Sequence, residues 1–589
     1  MNETIPGLHR GNIGRELLAG VTLIAIAIPL NIGYAQIAGL PATAGLYALI
    51  LPTLVWAFVT SSRQLVVSPD AAAAALVASS LGGLAAAGSE DYATMALAQA
   101  ILCGVLFAAM SVLKLGFLAN FLSKPILIGF VGGLALDILV SQLAKMLGIS
   151  LAPGAEFGEK TLGLASGLGD INVPSAAIAA GGAAILLLGK RVAPLVPWAL
   201  GVMVLATVLV VLTGADAAGV KVLGAIPAGP PALTWPVLAW QQWLALVPSA
   251  IALTLVTSAE GLLVARSYAE KRGYATQPNR DLLALGAANI AAGASGSFAV
   301  GASTSRTAAM DQAGSRTQLP ALVLAAGTIL FLLFGTALLA SIPMPAIGAI
   351  VGVAVLPLLG VSEFRSLWRL SPSEFWIGIT CFVVTLFVGA IAGILVAFVL
   401  ALINLARRAA HPAIDVLSQG GDPASSLLEG IPAARLAGGD PRAVGSDPAA
   451  AGPGSVVRNA LGDDGTLVVR MAAPLFFANG TVFTSAVERA VAGAGGKTAV
   501  HRIVIDMEAV TDVDVTAAEA FTGLRSWLAA AGIAVSFSRV RESARARLAH
   551  FGVVQPGDAV FPTNRAAVAG HNTTGATASL TPPSTPEGT

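Results

Sequence analysis

From residue 14 to Arg408 the chain is a succession of apolar runs parted by short polar breaks. A helix rises about 1.5 Å per residue and the hydrocarbon core of a bilayer is about 30 Å thick, so about 20 apolar residues make one crossing. The roughly 400 residues available suit about 12–14 crossings. Composition agrees: of 589 residues, 56% are hydrophobic and only 11% charged, with a mean hydropathy of +0.80, unlike soluble globular chains of this size. A polytopic α-helical membrane protein is expected. Its spans are expected near 14–35, 44–60, 68–87, 92–113, 123–147, 173–190, 195–213, 242–266, 281–295, 302–313, 319–341, 345–361, 374–390 and 391–408.

The even count gives both termini the same side. With the N-terminus inside, about 17 lysines and arginines up to Arg408 fall at cytoplasmic ends, and only Lys145, Lys160 and Lys221 fall outside. The lead-in MNETIPGLHRGNIGRELLAG carries two arginines and no good cleavage site, so it reads as cytoplasmic and not as a signal peptide. A formal net charge of +1 with no basic face argues against a nucleic-acid partner; the bilayer is the expected surroundings. Cys103 and Cys381 lie in apolar runs and read as packing residues. No metal-ligand cluster, cofactor motif or enzyme motif is visible.

After His411 the composition changes to Gly, Pro, Asp and Ser, and residues 409–455 read as a linker. TLVVRM (466–471), HRIVIDM (501–507) and IAVSFS (533–538) read as strands with amphipathic helices between them. Residues 456–565 are thus expected to form a soluble α/β domain. The stretch 566–589 lacks periodicity and is expected to be disordered.

Two stretches inside the membrane part share one plan: four residues fit for a strand, a break, then a helix start. They are QLVVSPDAAAAAL (64–76) and SFAVGASTSRTAAM (297–310). Interrupted spans in corresponding halves of a transporter aim unpaired N–H groups at the membrane midplane, which suits an anion. Ser68, Pro69 and Asp70 match helix-start chemistry as a serine cap, a proline at the first helical position and an acid in the first turn; Asp70 is either a helix-capping carboxylate or part of the site. In the second stretch Gly301, Ser303, Thr304 and Ser305 offer hydroxyls and accessible amides, and Arg306 a cation; the alternative for Arg306 is a topology residue reaching outward. The tetrads Gln64–Val67 and Ser297–Val300 are expected to be extended, to pair, and to avoid lipid.

Two further carboxylates lie in apolar runs. Glu260, about two turns before Arg266, is deep enough to suit a proton-coupled carrier, because burial favours the neutral form of a carboxyl; the alternative is a structural glutamate held by hydroxyls. Asp137 reads more simply as facing another helix.

The segment IPLNIGYAQIAGLPATAGLYALILPTLVWAFVTSSRQLVVSP resembles the signature of the SulP (sulfate permease) anion transporters. NRDLLALGAANIAAGASGSF with SRTAAMDQAGSRTQL is similar to that family's tenth-span region, and APLFFANG with VIDMEAVTDVDVTAAEAF to its C-terminal STAS domain. The resemblance covers about 15–408 and 456–560. It implies two inverted seven-span repeats, a core domain moving against a gate domain, and a homodimer. The anion site would lie near Ala71, Ser303, Thr304, Ser305 and Arg306, with Tyr34 beside it, and Glu260 would serve coupling.

Three positions depart from the family pattern. Leu30 stands where many members have Gln, Asp70 where many have a small or apolar residue, and Val264 where sodium-coupled members have Thr. Symport with protons is therefore favoured over sodium coupling, with Glu260 and Asp70 as the coupling groups. Thr516 falls where soluble STAS members carry a phosphorylatable residue, though a helix-capping role is the simpler reading. The expected function is secondary transport of a small anion (sulfate, bicarbonate or a dicarboxylate) by alternating access. Rivals are a nucleobase–proton symporter of the same repeat plan, a membrane-anchored STAS sensor, and an anion channel.

Overall fold

A computed structural model describes residues 6–116, 124–152, 155–193, 196–418, 429–432, 460–462 and 464–570. The chain divides into two compact units, Met1–Ala401 and Leu402–Thr589.

In the first unit the helices are α1 (Ile13–Ile37), α2 (Ala42–Tyr47), α3 (Leu51–Val59), α4 (Ala71–Leu81), α5 (Glu90–Val112), α6 (Lys124–Leu147), α7 (Phe157–Ser166), α8 (Val173–Val192) and α9 (Trp198–Thr213). They continue with α10 (Trp240–Arg272), α11 (Pro278–Ala294), α12 (Thr304–Gln312), α13 (Leu319–Phe334), α14 (Thr336–Leu339), α15 (Met344–Val355), α16 (Val361–Leu370), α17 (Pro372–Phe387) and α18 (Ala390–Ala410). The boundary between the units falls inside α18.

Every expected span contains a helix, but the helices are unequal. Eight helical stretches among the described residues are long and apolar enough to cross a membrane, and α4, α9, α13 and α17 are shorter apolar helices. The expected span 302–313 shrinks to the nine residues of α12. Helices α7 and α16 were not expected; GEK and EFR interrupt their apolar character and hide them from a span-length search.

Packing sorts the helices into two groups. Helix α5 lies on α10 and α11, α11 on α3, and α1 on α13; separately, α6 packs on α15 and α17, and α15 on α8. Contacts of α1 with α9 and α15, and of α4 with α6, join the groups. Helix α18 buries only 22% of its apolar window and leaves Leu395, Val399 and Leu402 exposed. An apolar helix with so little protein cover is stable where lipid covers the rest. Cys103 and Cys381 are free and fully buried.

The interrupted segments meet. Strand β1 (Val67–Ser68) pairs antiparallel with β2 (Gly301–Ala302), Val67 opposite Ala302 and Ser68 opposite Gly301. The pairing thus lies mostly beyond the tetrads expected to pair: only Val67 of those eight residues is in a strand, the Val66 carbonyl accepts from the Ser303 N–H at 2.9 Å, and side chains satisfy much of the rest. The Leu65 carbonyl accepts from Trp56 Nε1 (2.9 Å) and Gln318 Nε2 (3.1 Å), and the Val66 N–H donates to Thr307 Oγ1 (3.0 Å). Asn289 mimics a strand for Val300, accepting from its N–H (3.0 Å) and donating to its carbonyl (3.0 Å). Backbone without a helix at membrane depth must be satisfied this way, because each orphan group costs several kcal/mol in hydrocarbon.

In the second unit a six-stranded sheet runs in the order β4-β3-β5-β6-β7-β8. The strands are β3 (Ile414–Ser418), β4 (Glu429–Pro432), β5 (Thr466–Met471), β6 (Arg502–Asp506), β7 (Ala534–Ser538) and β8 (Ala559–Phe561). Strands β5 to β8 are parallel, and β3 joins β5 antiparallel. Helices α19 (Gly480–Gly493), α20 (Val515–Ala530), α21 (Glu542–His550) and α22 (Asn564–Val568) complete it. The stacked rings of Phe483, Phe521 and Phe537 lie in its core.

Two expectations change here. Strands β3 and β4 fall inside the stretch read as linker, and the rest of that stretch lies mostly outside the described residues. Sheet hydrogen bonding to β5 makes Ile414–Ser418 a strand although its neighbours are Gly- and Pro-rich. Helix α22 extends past 565, and of the expected tail 571–589 lies outside the described residues.

Candidate functional site

Each interrupted segment ends in a helix start with a side-chain cap. At α4 the cap is Asp70, whose Oδ1 accepts from the Ala73 N–H at 2.6 Å. At α12 it is Ser303, whose Oγ accepts from the Arg306 N–H at 3.4 Å. Both caps leave N–H groups of the first turn facing the same junction, since β1 and β2 bring the two starts side by side.

Arg306 ties the starts together. It is 1% exposed; its Nε donates to Ser303 Oγ at 2.8 Å and its Nη2 to the Pro69 carbonyl. Its guanidinium carbon stands 5.7 Å from the centre of the Tyr34 ring, within cation–π range. Arg306 is therefore turned inward, and the alternative of an outward-reaching topology residue does not hold. A guanidinium reaches two elements at once because its donors form a rigid fork.

Several polar atoms here are buried without a hydrogen-bond partner: Arg306 Nη1, Asp70 Oδ2 and Ser68 Oγ. Buried polar groups are ordinarily paired, and a cluster of exceptions at one point marks a place built to receive something. Gly301 permits the approach. A Cβ there would stand 3.1 Å from Asp70 Oδ2 and 3.0 Å from Thr257 Cγ2, too close without a shift.

The other expected residues divide. Ala71 and Tyr34 are buried at the junction, at 4% and 6% exposure. Thr304 is exposed and donates to Glu260 Oε1 at 3.0 Å, which connects α10 to the start of α12. Ser305 is exposed and no hydrogen bond joins its hydroxyl to Arg306. Asp137 pairs with Lys160 at 2.7 Å, away from the junction. Leu30 and Val264 are both 7% exposed, apolar filling at positions where the family resemblance implies Gln and Thr in other members. In the second unit Asp514, not Thr516, caps α20, accepting from the Ala517 N–H at 2.8 Å; Thr516 is exposed in the first turn.

Reading the sequence missed the groups that hold the segments: Asn289, Thr307, Gln318 and Asp311. Asp311, at the far end of α12, pairs with Lys271 (2.8 Å), Arg272 (2.5 Å) and Arg316 (3.3 Å) and accepts from Gln64 Nε2 (3.1 Å). A partial signal was present, since an acid in an apolar region calls for a partner; of its three cations only Arg316 is near in sequence, while Lys271 and Arg272 lie about forty residues earlier.

Two half-helix starts facing each other inside a bundle of apolar helices, joined by a buried arginine, define a membrane transporter; the α/β unit after it is a domain of another kind. Residues 13–381 match the sulfate permease family and residues 458–567 the STAS domain. The chain is 34% identical over 533 residues to a probable sulfate transporter of Mycobacterium tuberculosis (strain ATCC 25618 / H37Rv), covering 90% of each. It is 27% identical over 553 residues to the chloroplastic sulfate transporter 4.1 of Arabidopsis thaliana, covering 92% of this chain and 77% of that one. The fold is similar to that of murine solute carrier 26 family member A9, an anion transporter in the inward-facing state, with a TM-score of 0.82 and 22% identity over 95% of this chain and 92% of that one. It also resembles the transmembrane domain of BicA, a bicarbonate transporter of a cyanobacterium, with a TM-score of 0.59 and 22% identity over 68% of this chain and all of that one. The chain belongs to the sulfate permease family, a family of transporters and not of enzymes, and carries a STAS domain.

Proposed function

We propose that this protein carries a small oxyanion, namely sulfate, bicarbonate or a dicarboxylate, across the bilayer by alternating access. The observation that carries this reading is Arg306, buried between two helix starts with one amino group unpartnered. Ser303, the Ala71 and Thr304 amides, the hydroxyls of Thr304 and Ser305, and Tyr34 complete the cradle. Helix N-termini and a fixed guanidinium favour an anion, and the guanidinium fork suits two oxygens of one anion. Three relatives' names point the same way, to sulfate or to bicarbonate.

The two packing groups supply a core (α1, α3, α4, α5, α10, α11, α12, α13) that moves against a gate (α6, α8, α9, α15, α17, α18), with the site on the core side. Residues 1–408 act as the transporter, both termini and the STAS domain lie in the cytoplasm, and the protein works as a homodimer. Protons are the coupling ion. Glu260 accepts from Thr304, so its protonation state is read directly at the helix start that binds the anion. With Glu260 neutral, charge carried with the anion is partly balanced.

An anion-panel flux assay in proteoliposomes, with and without an imposed pH gradient, tests both parts. Uptake of at least one of the three anions, accelerated by an inward proton gradient, is expected. Glu260→Gln is expected to abolish that acceleration; an intact proton response in the variant would remove Glu260 from coupling. Uptake of uracil in place of any anion would instead favour nucleobase transport.

A further inference from the structure

The three basic residues that violate the charge asymmetry of the loops, Lys145, Lys160 and Lys221, are 15 or more residues apart in sequence, yet all three line one cavity of about 620 Å³. The cavity lies at the end of α6 away from Lys124: Lys124 opens the helix and Lys145 is in its last turn, about 30 Å apart by helical rise. Its walls include Gln36 on α1, two residues after Tyr34, and Ala75 and Ser79 on α4, about 6–12 Å along that helix from Ala71. It is therefore the antechamber of the junction on the face opposite the cationic loops.

The acids of the cavity are Asp137 and Glu156. Asp137 is spent on Lys160, and Glu156 joins Glu159 in the capping box of α7. Lys145 donates to Gln36 Oε1 at 3.4 Å and Lys221 to Ser150 Oγ at 2.5 Å, both neutral acceptors, and neither forms an ion pair among the described residues. A cleft with low-dielectric walls and two such ammonium groups focuses positive potential.

We propose that this cavity is an anion-collecting vestibule, in which Lys145 and Lys221 hold a small oxyanion from the external solution before it passes along α1 and α4 to Arg306. The passage to Arg306 rests on the transport reading above; the positive potential and anion binding in the cavity do not. Lys145 and Lys221 stand outside, against the general rule for loops, because they serve the anion, while Lys160 is held by Asp137.

Charged thiol reagents on intact cells test it. Cys103 and Cys381 are fully buried, so Ser79→Cys places one reactive thiol in the exposed wall of the cavity. The anionic sulfonatoethyl methanethiosulfonate is expected to react about ten-fold faster than the cationic trimethylammonium reagent, relative to their rates with a free thiol, at low salt. Adding Lys145→Gln and Lys221→Gln is expected to lower that preference several-fold, as is about 1 M salt, where screening acts within about 3 Å. Lys145→Arg should preserve it. The same double variant should raise the KM of cellular uptake about five-fold and flatten its salt dependence, as loss of steering charges does.

A reagent preference that the double substitution leaves unchanged, with the protein folded by thermal unfolding, would overturn the proposal. A fall in Vmax with KM and salt dependence unmoved would do the same for the passage to Arg306. Absence of anion uptake by the unsubstituted protein would instead sink the transport reading, while the reagent preference would still report on the vestibule.

Discussion

The two half-helix starts are alike in plan and unlike in chemistry. Helix α4 begins on a carboxylate and then runs through five buried alanines; α12 begins on a hydroxyl, carries Arg306 in its first turn and Asp311 in its last. The α4 start offers close backbone approach because its side chains are small. The α12 start offers the cation, and it is fixed at both ends: Arg306 binds the Pro69 carbonyl of the partner segment, and Asp311 is gripped by three basic side chains. Symmetry of backbone thus supplies two sets of amides; under the proposed transport function, asymmetry of side chains decides which half attracts the anion and which half limits it.

Substituting Arg306 by Ala should give the largest effect. Hydrogen bonds to a charged group are each worth about 1.5–3 kcal/mol, so anion binding to the purified protein should weaken by about 10–100-fold. Unchanged binding would make the two halves equivalent and remove Arg306 from the site. Lys in its place keeps the charge but not the fork, and should recover only part of the affinity.

At the other end of α12, Asp311→Asn leaves three cations facing a neutral amide. Their own exposure screens them, so a loss of about 2 kcal/mol is expected, read as a drop of a few degrees in the unfolding midpoint. No comparable substitution exists on α4, whose residues after Asp70 are uncharged. If Asp311→Asn left the midpoint unmoved, the notion that only α12 is anchored would fail.

Smallest is the effect at Asp70. Asn is as good a helix cap as Asp, so Asp70→Asn should leave stability unchanged while Asp70→Ala loses about 1 kcal/mol. The Asn variant also removes a negative charge beside the site, and anion affinity should rise a few-fold. A fall in affinity in Asp70→Asn would show that the carboxyl takes part in binding, not in limiting it.

Much of the site was legible in the chain because its signals are local. Asp70 caps α4, as one reading of it has it, but the helix begins at Ala71, so Ser68, expected as the cap, lies in β1 and Pro69 before the helix; Ser303, with no cap expected of it, caps α12. Thr516 shows the limit of the same rule: Asp514, two residues earlier, takes the cap. The pairing of the tetrads went astray for a different reason. Register depends on which partner side chains reach the backbone, and Asn289, Thr307, Trp56 and Gln318 come from four other places in the chain. Strand β3 was missed similarly, since its hydrogen bonds come from β5, some fifty residues on.

By itself the sequence determined a bundle of membrane helices with two interrupted spans and a separate α/β domain, because hydropathy, run length and cap chemistry are properties of neighbouring residues. It also determined that three lysines stand apart from the rest. Only the tertiary structure decided that Arg306 turns inward to bridge both helix starts, and that those three lysines converge on one cavity. Such placements depend on contacts between residues far apart in the chain, and periodicity along the chain carries no record of them.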